Sequence, residues 1–500
     1  MQKCRVLTCD SDGVFSASTL HNYLLDIEYN GEIIPIFHDL KKHGLTDEDV
    51  MKKTVESGCK LLFCPDSSSS DYEQHEILHD LGIDVIICDH HEAPHYSGHA
   101  IVINNQLSSK VENKYGSGAL VTHKFCQYVD LQIGFEYAEK YYDRVALSLV
   151  TDVCDLTSFE NRFYIDYGLQ NINDKVVLDL IEAKMKDKEI NPYNLSWNVN
   201  PCLNSYIRNG KMDWLYKALV YPNETCMWQR VKKEELKEWN IVDRVVTESI
   251  AMQTKQSNDV RKYVKQLEEQ INEDDKAIIV TVDEKFNLAY TGLIAGKLSG
   301  NYGKPALVVH EKDNGTMMGS VRSDTLSRLD FEKSKLFVYN SGHNLGAWGT
   351  AFHKSKLEDI RNYFNSLNIA SELTCDVVKC FTPTSIPTSL FELIEGTMWL
   401  YGKGIDLPTF CVKNIKINAD EIRWYPTVMF FVYEGIRYTK FFPNEAIKKA
   451  FMKDTNKKLD ITIVGTFGIN EYQGYKNPQV LVNFYEVKEQ NRVKSIEDIW

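Results

Sequence analysis

Residues 84–92, with the sequence DVIICDHHE, form an apolar run that ends in acidic and histidine side chains. Two earlier runs end in a similar way, CRVLTCD at residues 4–10 and LLFCPD at residues 61–66. Segments with helical character separate these runs, and alternating short strands and helices predict an α/β fold with a parallel sheet. Because ligands of such sheets bind beyond the carboxyl ends of the strands, we expect the acids to meet in one crevice.

The side chains expected in this crevice are carboxylates and imidazoles, and the segment LVTDVCDL at residues 149–156 adds two more acids. The candidates are Asp10, Asp12, Asp66, Asp89, His90, His91, Asp152 and Asp155. Such an oxygen-rich set suits Mn²⁺ or Mg²⁺ better than zinc. Carboxylates gathered without cations would repel one another, so the pattern favours two divalent ions. The alternative is a set of solvated acids at strand ends.

The composition is that of an ordinary globular chain. Its 500 residues suggest about three domains, and 43% hydrophobic and 25% charged residues exclude wholesale disorder. We expect a cytoplasmic protein without a membrane segment, since no apolar run approaches the ~18 residues needed to span a bilayer. The cysteines include no Cys-x-x-Cys pair, which argues against a structural zinc site. The net charge of -13 argues against non-specific DNA coating but leaves room for a local basic groove.

The acidic motifs, taken in order, resemble those of the DHH phosphoesterases. They are Asp-x-Asp-Gly at residues 10–13, Asp66, Asp-His-His at residues 89–91 and Thr-Asp-Val at residues 151–153. The segment YGSGALVTHKF at residues 115–125 narrows the resemblance to the RecJ-like single-strand DNA exonucleases.

This resemblance implies a role for each acidic and histidine side chain. It implies two Mn²⁺ or Mg²⁺ ions per active site, held by Asp10, Asp12, Asp66, His90 and Asp152, with Asp66 as the bridge. His91 would contact the scissile phosphate or assist the leaving oxygen. Asp89 would act beside it by orienting His90.

Four further segments resemble substrate-binding parts of the same family. NVNPCLNSYIRNGK at residues 198–211 resembles a Pro-Arg-x-Asn-Ala-x-Gly-Arg segment, although Cys202, Ser205 and Ile207 depart from it. GSVRSD at residues 319–324 and SGHNLGAWG at residues 341–349 resemble DHHA1 signatures. The C-terminal part resembles an OB-fold, whose aromatic side chains stack on bases. The implied substrate-binding residues are Asn204, Arg208, Arg322, Ser323, Gly342, His343, Tyr472 and Tyr475.

The chain is expected to comprise four parts. A DHH domain with a parallel sheet covers residues 1–220, and a connecting helix covers residues 223–272, where Gly and Pro are absent. A smaller α/β DHHA1 domain covers residues 273–371, and a β-rich OB-like domain covers residues 372–500.

The resemblance implies an exonuclease that degrades single-stranded DNA from the 5′ end. Single-stranded DNA is the expected partner, together with a helicase or a single-strand-binding protein. Two alternatives remain, a DHH phosphodiesterase acting on nanoRNA or cyclic dinucleotides and a non-catalytic DNA-binding scaffold. Inorganic pyrophosphatase activity is less favoured, because that branch has a His where this chain has Val6.

Overall fold

The computed structural model describes residues 2–8, 10–38, 43–186, 188–230, 235–283, 285–342, 346–367, 376–443, 445–452, 458–472 and 474–489. The chain divides into two compact units. The first comprises residues 1–369 with 402–404, and the second comprises residues 370–401 and 405–500.

The first unit begins with a parallel sheet of strands in the order β2-β1-β3-β4-β5. The strands are β1 (Gln2–Thr8), β2 (Gly31–Phe37), β3 (Leu61–Pro65), β4 (Asp84–Asp89) and β5 (Ile101–Asn104). Strands β1, β3 and β4 are the three apolar runs of the sequence, so the predicted parallel sheet is confirmed. Val6, Leu62 and Ile87 are fully buried, as expected for a sheet covered on both faces.

Helices connect and cover this sheet. They are α1 (Ser11–Asp26), α2 (Glu48–Glu56), α3 (Tyr72–Asp80), α4 (Gly118–Ile133), α5 (Tyr142–Thr151), α6 (Phe159–Gln170), α7 (Lys175–Met185), α8 (Pro192–Asn198), α9 (Asn200–Arg208) and α10 (Met212–Val220). Asp10 caps α1 by accepting a hydrogen bond from the Gly13 N–H, and Ser117 caps α4 through the Leu120 N–H. Both helices therefore begin at the carboxyl edge of the sheet.

The connecting helix is shorter than the expected 223–272. Strands β6 (Thr225–Trp228) and β7 (Lys237–Asn240) pair as a hairpin before it, and α11 (Ile241–Leu267) follows. The helix begins at residue 241 because the Asn240 side chain accepts a hydrogen bond from the Val242 N–H, which caps it. Trp228 and Trp239 pack edge to face across the hairpin, and this cross-strand pair favours strand over helix in that segment.

A second, mixed sheet completes the first unit, in the order β11-β12-β10-β9-β8. Its strands are β8 (Ile278–Val282), β9 (Ala306–Glu311), β10 (Thr316–Ser323), β11 (Tyr339–Gly342) and β12 (Gly346–His353). Its helices are α12 (Thr291–Tyr302), α13 (Arg328–Ser334) and α14 (Leu357–Ser366). By contacts it belongs to the same unit as the parallel sheet, where the sequence predicted a separate domain.

The second unit is rich in β-structure, as predicted. It contains β13 (Lys379–Phe381), α15 (Thr388–Gly396), β14 (Thr409–Asn418), β15 (Arg423–Tyr425), β16 (Val428–Tyr433), β17 (Ile436–Phe441), α16 (Glu445–Met452), β18 (Lys458–Tyr472) and β19 (Tyr475–Glu489). The strands form one sheet in the order β13-β14-β18-β19-β17-β16-β15. Val412, Ile415 and Ile463 lie in its core. That this unit has an OB-like fold stays a prediction.

Candidate active site

Asp12 lies in the first turn of α1 and is held by the beginning of α4. Its Oδ2 accepts a hydrogen bond from the Gly118 N–H at 2.7 Å, and its Oδ1 accepts one from the Ala119 N–H at 3.0 Å. The Ser148 hydroxyl, on α5, also donates to Oδ1. The positive end of the α4 dipole faces this carboxylate and stabilises its charge.

Asp66 follows β3 and is almost completely buried, with 1% of its surface exposed. Its backbone is left-handed, with a φ of 61°, a conformation that Asp and Asn tolerate better than most residues. The Asp66 N–H donates to the Cys88 carbonyl at 2.7 Å, which fixes the turn at the end of the strand. The side chain rests against Gly118, where a Cβ atom would be 2.5 Å from the Asp66 Cβ. Only glycine at residue 118 leaves room for this carboxylate.

The His90 ring contacts three carboxylates from three separate segments. Its Nε2 is 3.2 Å from Asp66 Oδ1, 3.6 Å from Asp12 Oδ2 and 3.9 Å from Asp152 Oδ2. Ligand atoms of Asp12, His90 and Asp152 lie close enough together to bind one ion, and so do those of Asp66, His90 and His91. The structure therefore brings together the acidic motifs that the sequence predicted to converge.

Asp89 orients the neighbouring ring, His91, and not that of His90. Asp89 Oδ1 is 2.7 Å from His91 Nδ1 and accepts a hydrogen bond from the His90 N–H at 2.8 Å. Its Oδ2 accepts one from the Ser69 N–H at 3.1 Å. The expectation that Asp89 orients the His90 ring is therefore wrong, because successive side chains after β4 point to different sides.

The His91–Asp89 pair shifts the pKa of both groups. Burial lowers the pKa of His91, but the hydrogen bond from Asp89 and the charge of that carboxylate outweigh it and raise the pKa to about 9. Burial raises the pKa of Asp89, but the hydrogen bond and charge of His91 hold it below its usual range. Asp89 therefore favours the protonated form of His91, in which Nε2–H is a donor.

Asp66 and Asp152 are electrostatically strained without a cation. Burial and the charges of Asp12, Asp10 and Asp89 raise the pKa of Asp66 well above its usual value. Burial and Asp12 raise the pKa of Asp152 to about 6. Divalent ions would remove this penalty, and carboxylates with one imidazole are ligands that suit Mn²⁺ or Mg²⁺. The residues present therefore fit a divalent metal centre.

Asp10 and Asp155 lie at the edge of the site. Asp10 Oδ1 accepts the hydrogen bond from Gly13, and half of the side chain is exposed. Asp155 accepts hydrogen bonds from the N–H and the hydroxyl of Thr157, at 2.7 and 2.6 Å. Asp155 therefore closes a turn in the loop after α5.

Two arginines from separate segments lie near each other in the first unit. Arg208 ends α9, where Asn204 lies one turn earlier on the same face, and Arg322 lies on β10. Burial lowers the pKa of Arg322, and the positive charge of Arg208 lowers it further. Among the described residues, neither guanidinium forms an ion pair with a carboxylate within 4.0 Å. Two partly buried cations without a counter-ion are typical of an anion site.

Ser323 is not placed as the sequence suggested. Its side chain is 2% exposed, and its oxygen accepts hydrogen bonds from the N–H groups of Thr325 and Leu326. Strand alternation puts Ser320 on the same face as Arg322, and the Ser320 hydroxyl is 3.0 Å from that of Thr291. Ser320 is therefore the better candidate for binding substrate, and the alternation of side chains along a strand could have identified it from the sequence.

The remaining predicted substrate-binding residues are Gly342, His343, Tyr472 and Tyr475. Gly342 has a φ of 126°, and a Cβ there would be 3.0 Å from the Trp348 Cα, so the close approach to β12 requires glycine. His343 lies outside the described residues. Tyr472 ends β18, and Tyr475 begins β19 with 74% of its side chain exposed.

Residues 7–150 match the family described as DHH family, N-terminal domain. The chain is 28% identical over 506 residues to YorK from the SPbeta prophage of Bacillus subtilis strain 168, a protein named as a single-strand DNA-specific exonuclease. That match covers 96% of this chain and 86% of YorK. Residues 7–150 thus match a DHH N-terminal domain, and the chain as a whole is similar to RecJ-like exonucleases.

RecJ itself is also similar. The single-stranded-DNA-specific exonuclease RecJ of B. subtilis is 24% identical over 96% of this chain, which spans 60% of that protein's length. The structure of RecJ in complex with Mn²⁺ from Thermus thermophilus matches 97% of this RecJ-like chain and 69% of its own, with a TM-score of 0.73 and 17% identity. This likeness confirms the fold.

None of the described helices combines the length and the apolar character that a bilayer-spanning segment needs.

Proposed function

We propose that this RecJ-like chain hydrolyses phosphodiester bonds of single-stranded DNA, starting at the 5′ end. Two Mn²⁺ or Mg²⁺ ions would be held by Asp10, Asp12, Asp66, His90 and Asp152. The observation that carries the proposal is the position of His90 Nε2, 3.2 to 3.9 Å from carboxylates of three different motifs. YorK and RecJ, both named as single-strand DNA exonucleases, support the choice of substrate.

Bound divalent ions would supply Lewis-acid activation of the attacking water and neutralise charge on the phosphoryl oxygens. The chain's own groups would do the rest. His91 would donate its Nε2 proton to a phosphoryl oxygen or to the leaving 3′ oxygen, since the hydrogen bond to Asp89 favours the protonated ring. Asp89 would hold the ring through Nδ1 and balance its charge.

Arg208 and Arg322 would bind the terminal 5′ phosphate. A guanidinium offers a planar pair of donors to phosphate oxygens and stays charged at working pH. Asn204 and Ser320 lie on the same faces as these arginines and would add neutral donors. The mixed sheet would thus serve as the substrate-binding DHHA1 part.

The second unit would hold the strand downstream. Its exposed Tyr475 offers a ring on which a base can stack. A helicase or single-strand-binding protein that supplies single strands remains a prediction.

An assay with 3′-labelled, 5′-phosphorylated single-stranded DNA tests the proposal. The matching duplex and the same sequence as RNA are run in parallel, each with Mn²⁺, Mg²⁺ or EDTA. We expect mononucleotides to be released from the 5′ end of the single strand with either metal and no cleavage in EDTA. Preferential cleavage of short RNA or a cyclic dinucleotide would favour the alternative phosphodiesterase, and cleavage from the 3′ end would contradict the proposed direction.

Asp152→Asn and Asp155→Asn form a matched pair on one loop. Asp152 is one-third exposed and faces His90, so Asn there should lower the rate by at least about 100-fold with the fold intact. Asp155 serves a turn that Asn can also form, so this variant should retain activity. Wild-type rates in Asp152→Asn would remove that residue from the site.

A further inference from the structure

His43 lies at the open edge of the acidic crevice and belongs to none of the sequence motifs. Its Nε2 is 3.5 Å from Asp10 Oδ2, and its ring stands edge to face against His91, with centroids 5.4 Å apart. The side chain is 41% exposed, so its nitrogen can be reached from solvent.

Hydrogen bonds on both sides of His43 hold the turn that carries it. His38 is buried, and its ring nitrogens lie 3.0 Å from the Thr8 carbonyl and 2.8 Å from the Gly44 carbonyl. The Leu45 N–H donates to Asp71 Oδ2 at 2.7 Å. The His43 ring stacks on His38 at an angle of 21°. The imidazole therefore extends from a turn that is hydrogen-bonded to the end of β1 and to the loop after β3.

The carboxylate that faces His43 has one oxygen already engaged. Asp10 Oδ1 caps α1 through Gly13, so Oδ2 is the atom directed towards His43. Asp10 also contributes to the raised pKa of Asp66, so these two carboxylates lie within electrostatic range of each other. Asp12, His90 and Asp152 form one donor group of the crevice, and Asp66, His90 and His91 form a second.

We infer that His43 is a direct ligand of the outer ion of the pair, on the side of Asp10. This inference rests on the proposed two-metal function and adds one chain ligand to it. An imidazole ligand favours Mn²⁺ over Mg²⁺, because Mg²⁺ prefers oxygen ligands and retained water. His43 would thus make the outer position selective for Mn²⁺.

Calorimetry of metal binding tests this without an activity measurement. Wild type should bind two Mn²⁺ ions, and His43→Ala should weaken one of them by at least about tenfold, while Mg²⁺ affinity changes less. His99→Ala, which removes an exposed histidine that packs on His79, is the matched control and should bind Mn²⁺ as wild type does.

Pulsed electron paramagnetic resonance gives a second readout. The Mn²⁺ spectrum of wild type should show nitrogen coupling from two imidazoles, and His43→Ala should lose one of them. Failure of wild type to bind two Mn²⁺ ions would contradict the proposed metal centre itself. Two ions with unchanged affinity and unchanged nitrogen coupling in His43→Ala would overturn the inference and leave that centre standing.

Discussion

Gly118 lies so close to Asp66 that a methyl group on residue 118 would be 2.5 Å from both the Cβ and the Oδ1 of the carboxylate. The Gly118 N–H also donates to Asp12 at 2.7 Å. One glycine at the beginning of α4 therefore positions two acids that lie more than 50 residues apart in the chain. The glycine segment after the Asp-His-His motif is thus part of the acidic site.

Gly118→Ala should displace Asp66 and weaken Mn²⁺ binding by at least about tenfold, with a loss of about 1 to 3 kcal/mol in stability from overpacking. Calorimetric Mn²⁺ titration and urea unfolding measure the two effects. Gly98→Ala is the control, since a Cβ at residue 98 meets no atom within 4 Å. Equal Mn²⁺ affinity in both variants would show that the contact with Asp66 does not matter.

Asp66→Asn should change stability in opposite directions with and without metal. In EDTA at pH 7 the variant should be more stable, because a carboxyl whose pKa is raised by folding destabilises the native state above its unfolded pKa. With Mn²⁺ at 100 times its Kd, wild type should gain about 2.7 kcal/mol that the variant lacks. Asparagine also tolerates the left-handed backbone at residue 66. Urea unfolding in the two buffers provides the measurement, and the same sign in both would argue against a metal ligand.

Arg208→Ala should reduce the preference for a 5′ phosphate. The expected loss in kcat/KM on 5′-phosphorylated strands is ~1.5 to 3 kcal/mol, the range for a hydrogen bond to a charged group, with less effect on 5′-hydroxyl ends. Arg261→Ala removes an exposed arginine of α11 and serves as the control. An unchanged preference for a 5′ phosphate in Arg208→Ala would mean that other residues bind this phosphate.

Acidification should weaken the contribution of the buried His123 to the stability of the first unit. Burial lowers the pKa of His123 to about 4, while its Nε2 lies 2.9 Å from the Ala138 carbonyl. Between pH 6.5 and 4 residue 123 therefore binds more protons in the unfolded chain than in the native state, so the contribution of His123 to the free energy of unfolding falls as pH falls, by up to about 1.4 kcal/mol per pH unit. His123→Gln should show a shallower fall in EDTA over this range. If the free energy of unfolding depended on pH in the same way in both proteins, the lowered pKa of His123 would be contradicted.

Tyr475→Ala should weaken binding of long single strands by ~1 to 3 kcal/mol, the contribution of one stacked base. Binding of the shortest cleavable oligonucleotides should not change. Tyr128→Ala, an exposed tyrosine of α4, is the control. Fluorescence anisotropy with labelled strands of increasing length measures the effect, and equal affinities at every length would exclude stacking on Tyr475.

The sequence alone determined the parallel sheet and the acids at its edge. Strands β1, β3 and β4 are short apolar runs, and the chemistry at their carboxyl ends follows from where parallel strands terminate. Asp12, Asp66 and His90 could therefore be grouped from strand direction, whereas Asp152 follows helix α5 and was grouped with them by its motif.

Only the tertiary structure decided which side chains touch. The partner of Asp89 is His91, and α11 begins at residue 241 behind a hairpin. Each of these depends on the direction of a side chain or on a competing local hydrogen bond, which residue types alone do not specify. His43 approaches Asp10 through a turn anchored by residues from three other segments, so no periodic pattern marks it. Contacts between segments far apart in the chain form only when helices and sheets pack against one another.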